Sequence, residues 1–313
     1  MKRVILFAHY DKDNIVDDYV LHLLNGLKPY YDRLIFVTDC PLPAEEKAKI
    51  EPFGEIAHAE PHGEYDFGSW KRAFAYLGDQ VEDYDEVVIA NDSCFGPLYD
   101  FGEMFSKMEK RPVDFWGISG TITKKIDEYC INSYFVAFRS NIVKNQAFKD
   151  FWPQIVHLDD KLEIVGRYEY GLSNLLHDQG FKSEPYVGWY DTDIMVASSF
   201  FSNIWAKKRC PVVKVKMFRE NPEEQPHLGR WLEKLSASYP RKYIDDLVKR
   251  YIGTTDPAHY HFKYPIFKTY FGHRNLLAFK GRYTKNRKWW RFYIKILGIP
   301  LTIFLPARRP EGT

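Results

Sequence analysis

The chain has 313 residues, 45% hydrophobic and 27% charged, the composition of an ordinary soluble globular protein. Its four cysteines, Cys40, Cys94, Cys130 and Cys210, stand far apart with no C-x-x-C pair, which argues against a structural zinc site and a disulfide scaffold and favours a reducing compartment. The net charge of +2 hides an asymmetry: from His261 to Thr313 there are 12 Lys or Arg and one acidic residue, Glu311, so the rest of the chain is acidic.

In chain order, Met1 to Tyr10 holds an apolar run too short for a signal peptide, and Val4 to Ala8 reads as a first strand. His9 to Asn14 is the loop at its carboxyl end. Val16, Val20, Leu23, Leu24 and Leu27 then fall on one face of a helix, and Leu34 to Val37 forms a second strand ending in Thr38-Asp39-Cys40. This β-α-β opening predicts a parallel sheet with a right-handed crossover. No G-x-G-x-x-G follows the first strand and no G-x-x-x-x-G-K-[ST] occurs, which argues against nicotinamide, flavin and P-loop sites. The missing glycine-rich turn also fits poorly with a methyltransferase.

The stretch from Glu64 to Pro97 carries the densest signal. Gly63 and Gly68 permit close backbone approach, and Ser69 is placed to cap a helix bearing Trp70, Lys71 and the pattern Arg72 to Leu77. A helix start with a lysine nearby suits a diphosphate, and Asp66 could hold a sugar hydroxyl or orient Lys71. The plainer alternative is a capped surface helix with Trp70 in the core. Glu86 to Ala90 reads as a strand buried on both faces. Asn91-Asp92-Ser93 directly follow it, where open α/β sheets bind their ligands. Phe95-Gly96-Pro97 redirects the chain.

Further strands are expected at Asp114 to Ile118 and Ile131 to Phe138, with a helix from Asn141 to Trp152. A second helix should begin at Arg167 and run to Asp178, with Gly180 closing it. Glu169 in its first turn either serves the helix dipole or acts as a base. Asp191 and Asp193, after Gly188-Trp189-Tyr190, are the next carboxylates in line. A strand from Val212 to Met217 leads into a charged, proline-punctuated linker, then two helical segments, Leu228–Ser238 and Arg241–Tyr251.

Five of these blocks together resemble the rhamnan-synthesis F glycosyltransferases. They are Tyr65-Asp66-Phe67-Gly68-Ser69-Trp70-Lys71, Asn91-Asp92-Ser93-Cys94-Phe95-Gly96-Pro97, Asp114-Phe115-Trp116-Gly117, Ser133-Tyr134-Phe135-Val136-Ala137-Phe138 and Tyr168-Glu169-Tyr170-Gly171-Leu172-Ser173. The resemblance covers roughly residues 1 to 255. It implies an α/β fold of the GT-A kind, a Rossmann-type sandwich with a mostly parallel central sheet. It also implies a nucleotide-sugar donor, with Tyr10 stacking on the base, Asp39 accepting a ribose hydroxyl, and Asp66, Gly68, Ser69, Lys71, Asn91 and Ser93 around the diphosphate. Trp116, Tyr134 and Asp191 are the matching acceptor-side residues. GT-A enzymes commonly carry Asp-x-Asp where this chain has Asn91-Asp92-Ser93, so Asp92 is the one expected ligand for Mg²⁺ or Mn²⁺. Metal-independent chemistry stays equally open. Family members usually show His-x-Gln-Ser-Tyr-Phe, whereas this chain has Cys130 and Asn132 at the first and third positions, a departure that puts a role for the histidine in doubt and points to a different acceptor.

The expected activity is inverting transfer of rhamnose from deoxythymidine-diphosphate rhamnose to a lipid-linked glycan of a bacterial surface polysaccharide: O-antigen, rhamnan or capsule. Glu169 would be the base and Asp92 would act at the leaving group. The alternative is a catalytically silent glycan-binding or scaffold protein of the same fold. The catalytic domain is expected at residues 1–255 and a basic, aromatic extension at 256–313. In that extension Trp289, Trp290, Arg291, Phe292, Lys295 and their neighbours suggest a helix lying in an anionic membrane interface, the alternative being a segment that folds back as an ordinary subdomain. No window is long and apolar enough to span a bilayer. The protein is therefore expected in the cytoplasm, at the inner face of the plasma membrane. Nothing in the body looks like a reader of nucleic-acid bases.

Overall fold

β1 (Arg3–His9) is buried along its whole length, as a parallel strand covered on both faces must be. A computed structural model of the chain describes residues 1–123, 128–191, 208–220, 228–235 and 237–253, and the backbone of 268–271, 274–283, 289–296 and 299–306. After β1 come α1 (Asp18–Leu27), β2 (Arg33–Thr38), α2 (Ala44–Ile50), β3 (Glu55–Ala59), α3 (Tyr65–Leu77) and β4 (Glu86–Asn91). β2 and β4 flank β1 and β3 flanks β2, all parallel. The β-α-β opening thus builds the parallel half of the sheet.

The second half is mixed. β5 (Cys94–Phe95) and α4 (Phe101–Met108) lead to β6 (Phe115–Gly117), then β7 (Gly120–Thr123), β8 (Glu128–Ile131) and β9 (Phe135–Arg139). β9 lies antiparallel between β4 and β6. The single strand expected from Ile131 to Phe138 is therefore two strands in different sheets, and the break carries Asn132, Ser133 and Tyr134. The helix expected from Asn141 to Trp152 is likewise divided into α5 (Ser140–Val143) and α6 (Gln146–Phe151), because Asn145 caps α6 by accepting the Phe148 N–H at 3.2 Å. Next come α7 (Lys161–Ile164), a π-helical turn (Val165–Tyr170) and α8 (Gly171–Asp178).

β10 (Ser183–Pro185) runs parallel to β6 and completes a seven-stranded sheet of order β10-β6-β9-β4-β1-β2-β3. β11 (Trp189–Asp191) joins β7 and β8 in a second sheet. β12 (Val213–Lys214) pairs antiparallel with β5 and passes into α9 (Val215–Arg219), followed by α10 (Leu228–Leu235) and α11 (Arg241–Ile252). The strand expected from Val212 to Met217 is thus two residues long. Only Val213 and Lys214 find a partner edge in β5, and the chain winds into a helix beyond it.

Alternation along β1 sorts the core into two layers. Ile5 and Phe7 pack on the side of α1, α4 and α11, while Val4, Leu6 and Ala8 pack with Phe67 and Trp70 of α3 and Leu172 and Leu176 of α8. Each Val, Leu, Ile or Phe among them contributes about 1.5–3 kcal/mol when fully buried.

Residues 268–306 correct the expectation of an interfacial helix. Their described backbone forms a four-stranded antiparallel sheet of β13 (Lys268–Phe271), β14 (Arg274–Tyr283), β15 (Trp289–Ile296) and β16 (Ile299–Pro306). The physical reason is legible in β15. Its sequence is aromatic and β-branched, and from Trp290 to Lys295 apolar residues occupy every second position, a period of two rather than 3.6.

Candidate functional site

The carboxyl ends of β1, β2 and β4 open into a cavity of about 1070 Å³. Tyr10 from the loop after β1, Asp39 after β2, Asp66 and Ser69 from α3, Asp92 and Ser93 after β4, and Glu169 from the π turn all line it. Two tyrosines stand exposed at this cavity, Tyr10 at 56% and Tyr65 at 47%. Tyr65 holds φ at 55°, a left-handed backbone that a bulky residue rarely adopts, and it begins α3.

The Asn91-Asp92-Ser93 motif is held from several sides. Asn91 donates its amide to Asp66 at 2.7 Å and accepts the Ser93 hydroxyl at 2.6 Å, so its side chain is spent on bracing the motif. It does not itself line the cavity. The Asp92 carboxylate accepts the Tyr10 N–H at 3.0 Å, and the Asp92 carbonyl accepts the Tyr19 hydroxyl at 2.8 Å. Burial, reinforced by the nearby Asp66 carboxylate, pushes Asp92 up to about 8.

Asp39 accepts the N–H groups of His62 (2.5 Å) and Gly63 (2.9 Å), so one of its oxygens fixes the loop before α3. Ser69 corrects the expectation that it caps α3. The helix begins at Tyr65, which places Ser69 buried in its interior, with its hydroxyl 2.9 Å from the His62 ring. Gly68 serves packing within α3: a Cβ there would lie 2.2 Å from that of Glu64. Gly68 is not among the residues lining the cavity.

Lys71 is also corrected. Its ammonium donates to the Ile155 carbonyl at 2.7 Å and pairs with Glu64 at 3.4 Å, and it does not line the cavity. The helix starts five residues earlier than the motif suggests, which turns Lys71 toward the α6–α7 connection. Trp116 and Tyr134, expected on the acceptor side, are core residues. Trp116 is fully buried and donates its indole N–H to Glu86 at 2.9 Å. Tyr134 is buried with its hydroxyl 2.7 Å from that of Ser119. Asp191 pairs through its backbone with Ile122 of β7, while its side chain and Asp193 lie outside the described residues.

Glu169 sits not at a helix start but inside the π turn between α7 and α8, which removes the helix-capping explanation for it. π turns often occur at functional positions. One carboxylate oxygen accepts the Ser133 N–H at 2.8 Å. Beside it Asn132 donates to Thr121 at 2.9 Å, and both line the cavity. The cations lining the cavity are ones the motifs did not mark: Lys12, Lys214, Lys216 and Arg219. Lys214 and its neighbours reach the cavity only because β12 pairs with β5, a contact between segments more than a hundred residues apart.

A divalent cation was the one cofactor left open, with Asp92 as its ligand. Among the described residues no group of three or more His, Cys, Asp or Glu side chains converges as a metal site. Mg²⁺, however, is commonly held by one or two carboxylates with substrate phosphates completing the shell. Asp92 with Asp66 beside it fits that pattern in residue type.

A family model, rhamnan synthesis protein F, matches residues 34–271. The chain belongs to that family. It is accordingly a glycosyltransferase, with an α/β fold built on a mostly parallel central sheet. No curated protein matches the sequence. Among solved structures, the core-mannan synthase A of Aspergillus fumigatus in its Mn/GDP form is 10% identical, with 61% of this chain and 73% of that chain covered and a TM-score of 0.35. Glucosyl-3-phosphoglycerate synthase from Mycobacterium tuberculosis is 10% identical with Mn²⁺, uridine diphosphate and phosphoglyceric acid bound, covering 60% and 81% at a TM-score of 0.34. A cytidylyltransferase from Leptospira borgpetersenii is 11% identical, covering 85% and 100% at a TM-score of 0.38.

Proposed function

We propose that this family member transfers rhamnose, with inversion, from deoxythymidine-diphosphate rhamnose to a lipid-linked glycan of a bacterial surface polysaccharide. The observation that carries the reading is the meeting of Tyr10, Asp39, Asp66, Asp92 and Glu169 in one cavity at the strand ends, although they are scattered over 160 residues of sequence. Tyr10 offers a stacking face for the base. Asp39 keeps the loop before α3 in place and presents its second oxygen toward the ribose. The acceptor enters from the side of Thr121, Asn132 and Glu169. Glu169, held by the Ser133 N–H, takes the proton of the attacking hydroxyl. A divalent cation bound by Asp92 and Asp66 would supply electrostatic stabilisation of the nucleoside diphosphate.

The basic extension is read as the part that meets an anionic membrane surface, keeping the enzyme at the cytoplasmic face. Among the described residues no helix is long and apolar enough to cross a membrane. The deciding experiment incubates the protein with a panel of nucleotide sugars and a lipid-linked acceptor, and follows transfer and donor hydrolysis separately. Rhamnosyl transfer is expected. Turnover of another donor alone would replace the sugar assignment, and neither transfer nor hydrolysis with any donor would establish a silent glycan-binding protein.

A further inference from the structure

Lys214 is brought to the site by backbone pairing, not by sequence proximity. In the β12–β5 register it lies opposite Cys94, and the Val215 N–H bonds the Ser93 carbonyl at 2.9 Å. The segment bearing Lys214 is therefore laced directly onto the Asp92 motif. Its ammonium donates to the Ser93 hydroxyl at 2.9 Å and stands 3.9 Å from the centre of the Tyr134 ring. Ser93 passes its own hydroxyl proton toward Asn91, so a chain of hydrogen bonds aims the lysine at this one place.

Each of the other cations of the cavity has a carboxylate partner: Lys12 pairs with Asp13, which it shares with Arg250, and Lys216 and Arg219 share Glu220. Among the described residues Lys214 has no carboxylate partner. A half-buried ammonium whose neighbours are a hydroxyl and an aromatic face retains a full charge for an incoming anion. Lysine binds phosphate as a compact point charge, which suits an oxygen whose negative charge grows during reaction.

We infer that Lys214 binds the diphosphate of the sugar donor and contacts the phosphate oxygen that departs from the anomeric carbon. The inference rests on the donor-transfer reading above and adds to it the residue that receives the leaving group. In the step, the acceptor oxygen bonds to the anomeric carbon as the bond from that carbon to the phosphate oxygen breaks. The electron pair of the broken bond stays on the phosphate oxygen, beside Lys214, and the acceptor proton passes to Glu169. Ser93 positions the lysine, and Tyr134 acts from the core as the floor beneath its ammonium. This gives Tyr134 a role in place of acceptor binding.

The test compares wild type, Lys214→Met and Lys214→Arg for binding of deoxythymidine, its monophosphate and its diphosphate, with uridine and guanosine diphosphates alongside. Circular dichroism and thermal melting check the fold of each variant. Lys214→Met is expected to bind the preferred diphosphate about 10- to 100-fold more weakly, the range for a hydrogen bond to a charged group, with nucleoside binding unchanged. Lys214→Arg should recover most of the loss, because charge is what the site requires. Equal diphosphate affinity in wild type and folded Lys214→Met overturns the inference while leaving the donor reading intact. If wild type binds none of the three diphosphates, the donor reading falls and the inference falls with it. If Lys214→Met fails to fold, unimpaired diphosphate binding by folded Ser93→Ala together with salt-independent binding by wild type overturns it instead.

Discussion

Glu169 and Ser133 separate proton transfer from architecture. Glu169→Gln keeps a side-chain oxygen for the Ser133 N–H but cannot accept a proton at neutral pH. Transfer should fall by roughly 10²–10⁴-fold, the usual contribution of a general base, while the melting temperature stays near wild type. Full activity in the Gln variant would move the base to another carboxylate. Two buried histidines make a second prediction, about stability. Burial pulls His9 and His62 down to about 4 from 6.5. Between those values the unfolded chain binds protons that the folded chain refuses, so stability is fully present above pH 6.5 and is lost as the pH falls toward 4. Each ring accounts for up to about 3 kcal/mol, checked by denaturant titrations across that range. Asp92 was legible as a cavity-lining residue because it directly follows a buried strand, whereas Glu169 reaches the same cavity from inside a π turn that its sequence does not announce. Lys71 was misread because its motif gives its neighbours but not the phase of the helix.

At the scale of elements, α11 reaches back over the loop that follows β1. Arg250 pairs with Asp11 at 2.6 Å, Asp13 at 2.6 Å and Asp17 at 2.5 Å. Asp11 is 4% exposed, and burial holds Asp17 above the usual carboxylate range despite the guanidinium. Removing the arginine leaves like charges facing one another in a partly dry place. Arg250→Ala should cost about 3 kcal/mol, the low end for breaking a buried ion pair, since Arg250 keeps a 21% exposed side chain. The loop it clamps carries Tyr10, so KM for the donor should rise more than kcat falls. A stability loss with unchanged donor KM would confine the clamp to folding. This contact joins residues over two hundred apart, and no local pattern announces it. By contrast β1, α1, β2 and β4 were legible, because uninterrupted apolar runs and a helical stripe are local signals. The division of Ile131–Phe138 into β8 and β9 was not, since both halves are equally apolar and only their partners differ.

For the molecule as a whole, charge is distributed unevenly along the chain. The +2 total combines an acidic body with 12 Lys or Arg after residue 260, and that contrast favours an anionic partner for the extension alone. The electrostatic attraction depends on how many cations approach the surface, so it is much the same for a helix and for a sheet. Near an anionic bilayer each cation contributes about 1 kcal/mol, a contribution that salt weakens over a Debye length of roughly 8–10 Å. Apolar residues at the interface would add a part that salt does not remove, at ~25 cal/mol per Å². Full-length protein should therefore co-sediment with vesicles containing anionic lipid, less so as salt rises, and leave a residual bound fraction at high salt. Protein truncated before residue 268 should stay in the supernatant yet still act on a soluble acceptor. Equal partitioning of the two forms would remove the membrane from the account. Loss of soluble-acceptor activity on truncation would show instead that the four-stranded sheet is needed by the catalytic domain itself, and would make the chain a single functional unit.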